Sequence, residues 1–428
     1  MGTTPPSSSP SHNDDHIQWH LPSVWYPLET FFLPHPQYHS VAGACISEIF
    51  YGPGPLKKCE RHYVALMTAA HTDCRFLIDL HTREFEREGG ELHWLHGLKH
   101  ITEKKFQTLD QMIHLMTHQP WRVCADTLKT VFRDHDDVFW SLNHLVHAAG
   151  IVCLTNSLCA MVHGLGCIEP TSLTETELKK QALRVEWSAR DREKKAKGAN
   201  KEIDQIVSRM TSLREAAKAS AATDDEIEDG SDENIPFLSL TEGDENAAGN
   251  THPHIFTLQA PLSYVDFATR HDTSFKTYKI HEFDWNHAYG IIEDVDPKMA
   301  KMFDEKFELM QTLTYNTMGD YSNVDTSEYR LAIWNYIHAL FGIRHDDYNY
   351  SQVNDMLSRP MKTFIKTVVC FPERLTDELR AHVMPDFDSS EKIHALLIVI
   401  EARCQANLLY FTRALTNYYV QTDRRRRT

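Results

Sequence analysis

From Ile393 to Leu415 the apolar residues Ile393, Leu396, Leu397, Ile400, Cys404, Leu408, Phe411 and Leu415 recur at the spacing of one helix face, and no other feature constrains the fold as tightly. Asp388, with Glu391 three residues on, has the form of a capping box at its start. A stripe this long has to be covered by other helices, because tertiary packing, more than propensity, holds an amphipathic helix together. The rest of the chain offers them. Asp296-Pro297 gives a cap and a first-turn proline to a helix bearing Met299, Met302, Phe303, Met310 and Leu313, which Gly319 is expected to end. Asp325 and Glu328 form another capping-box pattern before Tyr329, Ala332, Ile333, Tyr336, Ile337 and Leu340, a face that stops at Gly342. Nearer the N-terminus, from Pro53-Gly54-Pro55 onward, Tyr63, Leu66, Ala70, Cys74, Leu77, Ile78 and His81 read as one long amphipathic helix closed by Gly89-Gly90. Patterned segments follow at 106–117, 124–132 and 140–165, and strand-like alternation is nearly absent. The expected class is all-α.

The 428 residues are 42% hydrophobic, enough to bury sizeable cores, and composition divides them. Residues 1–20, rich in Ser, Pro, Asn and Asp, are expected to be a disordered tail. A helical domain is expected over 21–170 and a second over 254–420, followed by a basic tail at 421–428. Between the domains, 171–253 reads as a charged linker. Its first part carries a thin apolar seam, Ile203, Ile206, Val207, Met210 and Leu213, as in a solvated or loosely docked helix. Its later part holds the acidic run Asp224 to Asp229, as in a disordered segment.

Charge and composition also exclude functions. A net charge of -16 argues against nucleic acid as the main partner, since the basic footprint is confined to Arg424 to Arg427. Nine cysteines without a C-x-x-C pair do not form a disulfide framework, and Pro and Ser stand where a signal peptide would have an apolar core. A cytoplasmic and nuclear location fits. The most apolar run, Ala148 to Val162, is interrupted by Thr155, Asn156 and Ser157 and is shorter than the ~20 residues of a membrane helix, so it reads as a buried core helix, with no membrane insertion. His93, His96 and His100 could share one side of a helix. No acidic or cysteine ligand falls at matching spacing and Gly97 weakens that helix, so neither metal nor cofactor is expected.

The stretch Leu313 to Tyr350 puts a hydroxyl-rich turn, an arginine and an acidic pair into one short segment, and reads as a small-ligand site beside a partner surface. It also carries much of a family resemblance. Phe283-Asp284-Trp285, Leu313 through Met318, Ala332 through His338, Phe341 through Arg344, Ser390-Glu391-Lys392 and Glu401-Ala402-Arg403, together with Arg61-His62-Tyr63, Cys74 through His81, Pro120-Trp121 and Trp140-Ser141-Leu142, resemble the sestrins, stress-induced regulators of target-of-rapamycin signalling. The resemblance covers both expected domains. It implies two helical halves, each similar to the alkylhydroperoxidase D fold, with leucine bound in the C-terminal half and the GATOR complex as partner.

A free amino acid needs a cation, an anion and an apolar hollow close together. Arg330 can hold its carboxylate through two parallel hydrogen bonds and Glu391 its ammonium, and both positions match the sestrin pair. Thr314, Tyr315 and Thr317 match the lid over the ligand, and His394 also belongs to the implied pocket. Met384 stands where leucine-binding sestrins carry a tryptophan, and Tyr329 where they carry leucine. The plainer reading of Arg330 and Glu391 is an interhelical ion pair. Asp346-Asp347 resembles the acidic pair used toward GATOR; as a plain loop it would cap the helix at Ser351.

Sestrins are also similar to hydroperoxide reductases, which makes Cys74 and His81 candidate catalytic residues. Two helical turns separate them by ~10 Å, so a relay would be needed to make a thiolate. Phe76 replaces the family's tyrosine, and compared with the bacterial enzymes Leu77 replaces the second cysteine and His62 a glutamate. Without a resolving thiol, turnover would require an external reductant. The alternative is a buried structural cysteine.

Overall fold

In the computed structural model the described residues are 21–134, 137, 138, 140–166, 201–220, 255–260, 262, 267–270 and 272–427. The tail expected at 1–20 and the linker expected at 171–253, except 201–220, lie outside them. The first half contributes α1 (Tyr26–Glu29), α2 (Pro36–Tyr51), α3 (Lys58–Ala70), α4 (Arg75–Arg87), α5 (Lys104–His118), α6 (Ala125–Phe132) and α7 (Leu142–Leu165). Then come α8 (Lys201–Ser220), α9 (Trp285–Glu293), α10 (Pro297–Thr312), α11 (Ser327–Leu340), α12 (Ser351–Met356), α13 (Arg359–Cys370), α14 (Asp377–His382) and α15 (Ser389–Arg427). Strands are two residues long: β1 (Arg133–Asp134) with β2 (Asp137–Val138), β3 (Tyr278–Lys279) parallel to β6 (Ile343–Arg344), and β4 (Thr317–Met318) antiparallel to β5 (Tyr321–Ser322). The chain is all-α.

Helices α7 and α15 form the centre. Helix α7 is apolar around its whole circumference and therefore has to be surrounded. Small residues let its neighbours approach. A Cβ on Gly150 would stand 2.4 Å from the Met299 sulfur, and one on Gly164 would stand 2.8 Å from Leu396. Ser157 donates to the Cys153 carbonyl at 3.1 Å and to the Ile400 carbonyl of α15 at 3.0 Å. Both helices are long and apolar enough to cross a membrane, and the qualifying stretch of each is wholly buried within the fold. The buried apolar residues of the two halves make one continuous core.

Charged groups cross this core with partners. Lys306 of α10 meets Glu401 of α15 at 2.9 Å, and Tyr38 of α2 donates to the same carboxylate at 2.6 Å. Arg403 donates to the carbonyls of Asn156 at 2.9 Å and Thr117 at 3.0 Å, tying α15 to α7 and α5.

Several expected boundaries move. The helix read from 53 to 90 is two helices, because Asp73 takes a left-handed backbone (φ 47°) and Cys74 caps α4 instead of lying inside one long helix. Helix α10 has the expected Asp296 cap, which accepts from the Met299 N–H at 3.1 Å, but it ends at Thr312, and Gly319 instead turns the β4–β5 hairpin with φ 56°. Asp325 does not cap α11; it accepts from the Ser327 N–H at 2.9 Å in a turn one residue earlier, and Thr326 is the boundary residue. The basic residues expected as a tail continue α15 to Arg427. Helix α8 is docked, with Ile203, Ile206 and Met210 buried, because the hairpin and α12 present it with an apolar seat and backbone acceptors such as the Asp355 carbonyl, which takes Arg209 at 2.5 Å.

Candidate functional site

The expected ligand residues converge where the β4–β5 hairpin meets the starts of α11 and α15. Hairpin formation follows from two left-handed positions, Asn316 (φ 54°) and Gly319, which fold the chain back so that the Val324 N–H reaches the Asn316 carbonyl at 2.9 Å. A Cβ on Gly319 would stand 2.4 Å from the end of the Ile203 side chain of α8 and 3.0 Å from the Asp386 carbonyl, and the left-handed φ of 56° would strain any other residue there.

Glu391 anchors the hairpin. Both its carboxylate oxygens accept from the Gly319 N–H, at 3.0 and 2.9 Å, and one accepts from the Asp388 N–H at 2.9 Å, the capping contact expected from sequence. Arg330 stands near the start of α11. It donates through Nε to the Thr326 hydroxyl at 3.3 Å and through one Nη to the Gln311 carbonyl, while Nη2 makes no hydrogen bond among the described residues. No ion pair joins Arg330 to Glu391 there, so the plainer reading of the two as an interhelical pair does not describe this structure. Thr314 shares its hydroxyl with Thr326 at 3.2 Å and accepts from the Asn316 N–H at 3.1 Å. Thr317 is exposed on β4.

Tyr315 and His394 meet a residue that no sequence motif marks, His35. The buried His35 ring must donate from Nε2 to the Ser390 carbonyl at 2.9 Å, so its Nδ1 accepts from the Tyr315 hydroxyl at 2.8 Å. His394 packs against both, its ring 5.4 Å from His35 and 5.6 Å from Tyr315. Burial first, then the charges of His35 and Arg330, push its imidazole down to about 3, and its Nε2 is buried without a hydrogen-bond partner among the described residues. Met384 is buried with a left-handed backbone (φ 48°). Tyr329 stacks on Phe387 at 5.9 Å and lines this side with a flat ring. Arg330 also borders a cavity of about 730 Å³ walled by Trp285, Phe307 and Trp334, with Asp304 and Glu308 at its rim; Glu391 does not line it.

The acidic pair sits on the β6 turn. Asp346 is held by Lys279 at 3.2 Å and by His281, both brought beside it by the parallel β3–β6 pairing. Asp347 is exposed and makes no ion pair among the described residues.

Cys74 and His81 belong to different environments. Cys74 is buried, and burial pushes its thiol well above the usual range. The buried Cys159 thiol of α7 is near enough to push it further up. A second thiol therefore does stand beside Cys74, supplied from 85 positions along the chain and not from the next turn, where Leu77 lies. His81 faces away to His62, Nδ1 to Nδ1 at 3.1 Å, among Trp25 and Phe50; burial pushes it down to about 3.

The family model described as PA26 p53-induced protein (sestrin) matches residues 23–419. The chain is 33% identical to Sestrin-2 of Homo sapiens over 398 residues, covering 90% of this chain and 82% of that protein. It is 32% identical to Sestrin-1 of Mus musculus over 405 residues, 90% and 81%, and 30% identical to Sestrin-3 of Mus musculus over 392 residues, 85% and 79%. A match that spans both halves of one continuous core, at this identity, establishes that the chain belongs to the sestrin family of stress-induced regulators.

Proposed function

We propose that the chain senses a free amino acid, leucine or a relative, at the seam between the β4–β5 hairpin, α11 and α15, and restrains target-of-rapamycin signalling by binding GATOR subunits. One observation carries the reading. The carboxylate that closes the hairpin is Glu391 on the Gly319 N–H, and Arg330, near enough to act on His394 one turn further along α15, has an Nη2 uncommitted among the described residues. An incoming ammonium competes with Gly319 for Glu391, while the carboxylate takes Nη2 of Arg330. Ligand binding and hairpin position are thereby the same event, which is what a sensor requires. Met384 and Tyr329 supply the apolar wall that a tryptophan and a leucine supply in leucine-binding sestrins. Asp347, without an ion pair among the described residues, is the available half of the acidic pair for a basic surface on the partner.

The test is thermal unfolding of the full chain with a panel of amino acids. Leucine or a close relative at ~100 times its dissociation constant should stabilise the chain by about 2.7 kcal/mol. An unchanged melting temperature with every amino acid, under conditions where a known sensor responds, would overturn the sensor reading and leave a ligand-independent GATOR-binding scaffold.

A thiol peroxidase is the second reading, and the Cys74–Cys159 contact favours it. In that chemistry one thiol attacks the hydroperoxide to give the alcohol and a sulfenic acid, and the second thiol expels water to form the disulfide. The high pKa imposed by burial opposes the first step. With a thiol reductant supplied to return the disulfide to the dithiol, peroxide consumption should vanish in Cys74→Ser and slow in Cys159→Ser; equal rates in wild type and both variants would eliminate this reading.

A further inference from the structure

Away from the amino-acid seam, three imidazoles converge at the C-terminal end of α3. His71, which ends that helix, and His114 and His118, one turn apart on α5, place their ligand nitrogens all within 4.8 Å of one another. Nδ1 of His71 and Nδ1 of His114 are 3.3 Å apart. Two nitrogens bound to one tetrahedral ion at about 2.0–2.1 Å are separated by about 3.3 Å, so this pair already has the edge length of such a site.

The surroundings are those of a ligand set and not of a simple histidine stack. His71 donates from Nε2 to Asp110 at 3.2 Å, which leaves the lone pair of its Nδ1 facing His114. Asp110 is fully buried and is held in turn by the Leu258 N–H at 2.8 Å and the Thr257 hydroxyl at 3.2 Å, the carboxylate–histidine arrangement that orients a metal-bound imidazole. His118 is anchored by the Cys370 backbone and by stacking on Phe371 at 5.9 Å. Its Nδ1 is buried without a hydrogen-bond partner among the described residues. A hydrogen bond accounts for the His71–His114 approach, but no described group accounts for the orphaned nitrogen of His118, and a buried polar atom is costly unless something binds it. Arg122 and Arg403 are the nearby cations and Asp110 the counter-charge.

We propose that His71, His114 and His118 bind one first-row divalent metal ion of zinc's size, with Asp110 as the positioning carboxylate behind His71 and solvent in the fourth position. The ion would clasp the end of α3 to α5 and, through Asp110, to the segment at 257–259.

The test is titration of the full, chelator-treated chain with Co²⁺, followed by displacement with Zn²⁺. One equivalent should produce the intense visible absorption of four-coordinate cobalt, and Zn²⁺ should abolish it. The band should be lost in the His114→Ala/His118→Ala double variant, retained when His93, His96 and His100 are all replaced by alanine, and weakened 10- to 100-fold in affinity by Asp110→Asn, about the usual effect of such a partner. His118→Cys supplies a gain of signal that does not depend on a destabilised variant: a thiolate-to-cobalt charge-transfer band appears only if that side chain ligates. Absence of a stoichiometric band in wild type, a band that survives the double variant, or a cobalt-loaded His118→Cys chain without charge transfer would each overturn the proposal.

Discussion

Glu401→Ala is expected to lower the stability of the chain by about 3–5 kcal/mol, the cost of leaving one partner of a buried ion pair uncompensated. Glu401 and Lys306 are almost wholly shielded from solvent, and Tyr38 donates to the same carboxylate oxygen that Lys306 approaches. Burial pulls the Lys306 pKa down, but Glu401 more than reverses this and holds it above its ordinary value. Without Glu401 burial, the largest influence, is opposed only by the Cys45 and Cys404 thiols, so the ammonium becomes easier to deprotonate than in the unfolded chain. The unfolded state then binds more protons, and stability must rise with pH as Lys306 loses its charge. Chemical denaturation therefore has two readouts: a large loss for Glu401→Ala at neutral pH, and partial recovery of that variant in alkaline buffer. The double variant Glu401→Ala/Lys306→Met should regain most of the loss, because an apolar replacement removes both charges together. A single variant within about 1 kcal/mol of wild type would show that the pair does not hold α10 to α15.

Arg330→Ala is expected to abolish the amino-acid-induced stabilisation, a loss of about 2.7 kcal/mol at saturating ligand, while costing the ligand-free chain about 1 kcal/mol for its two hydrogen bonds, to Thr326 and Gln311. It is a cleaner probe than Glu391, whose removal would also release the Gly319 N–H and open the hairpin without ligand. Calorimetric titration of Arg330→Ala alongside wild type decides the matter. Binding that persists in the variant would mean that the carboxylate is held elsewhere, and the seam would lose its role.

The site residues named from sequence illustrate where one-dimensional reading succeeds. Arg330 and Glu391 match the sestrin pair, and the structure places them at the starts of α11 and α15, with no contact joining them directly. Their immediate partners are not legible in the sequence. Gly319 reads as a helix terminator because glycine is punctuation in any helical pattern; its actual role, a left-handed hairpin tip pressed against Ile203, depends on α8 docking there. His35 carries no motif at all, since its meaning comes from Tyr315 and Ser390, hundreds of residues away. The break at Asp73 is hidden because the apolar spacing runs through it without interruption. For the histidine cluster one signal is available, the His114-x-x-x-His118 spacing on one helix face, but His71 and Asp110 join it only in the fold.

By itself the sequence determined the all-α class, the long stripe of α15, the Asp296 cap of α10 and the family, because periodicity, capping and ungapped strings are local properties. Tertiary structure decided what each buried face meets: α7 against α15, Lys306 against Glu401, Cys74 beside Cys159, and the hairpin locked by Glu391. The physical reason is that hydrophobic patterning specifies which face must leave water without specifying its partner. Directional bonds between groups far apart in the chain form only after the helices have packed.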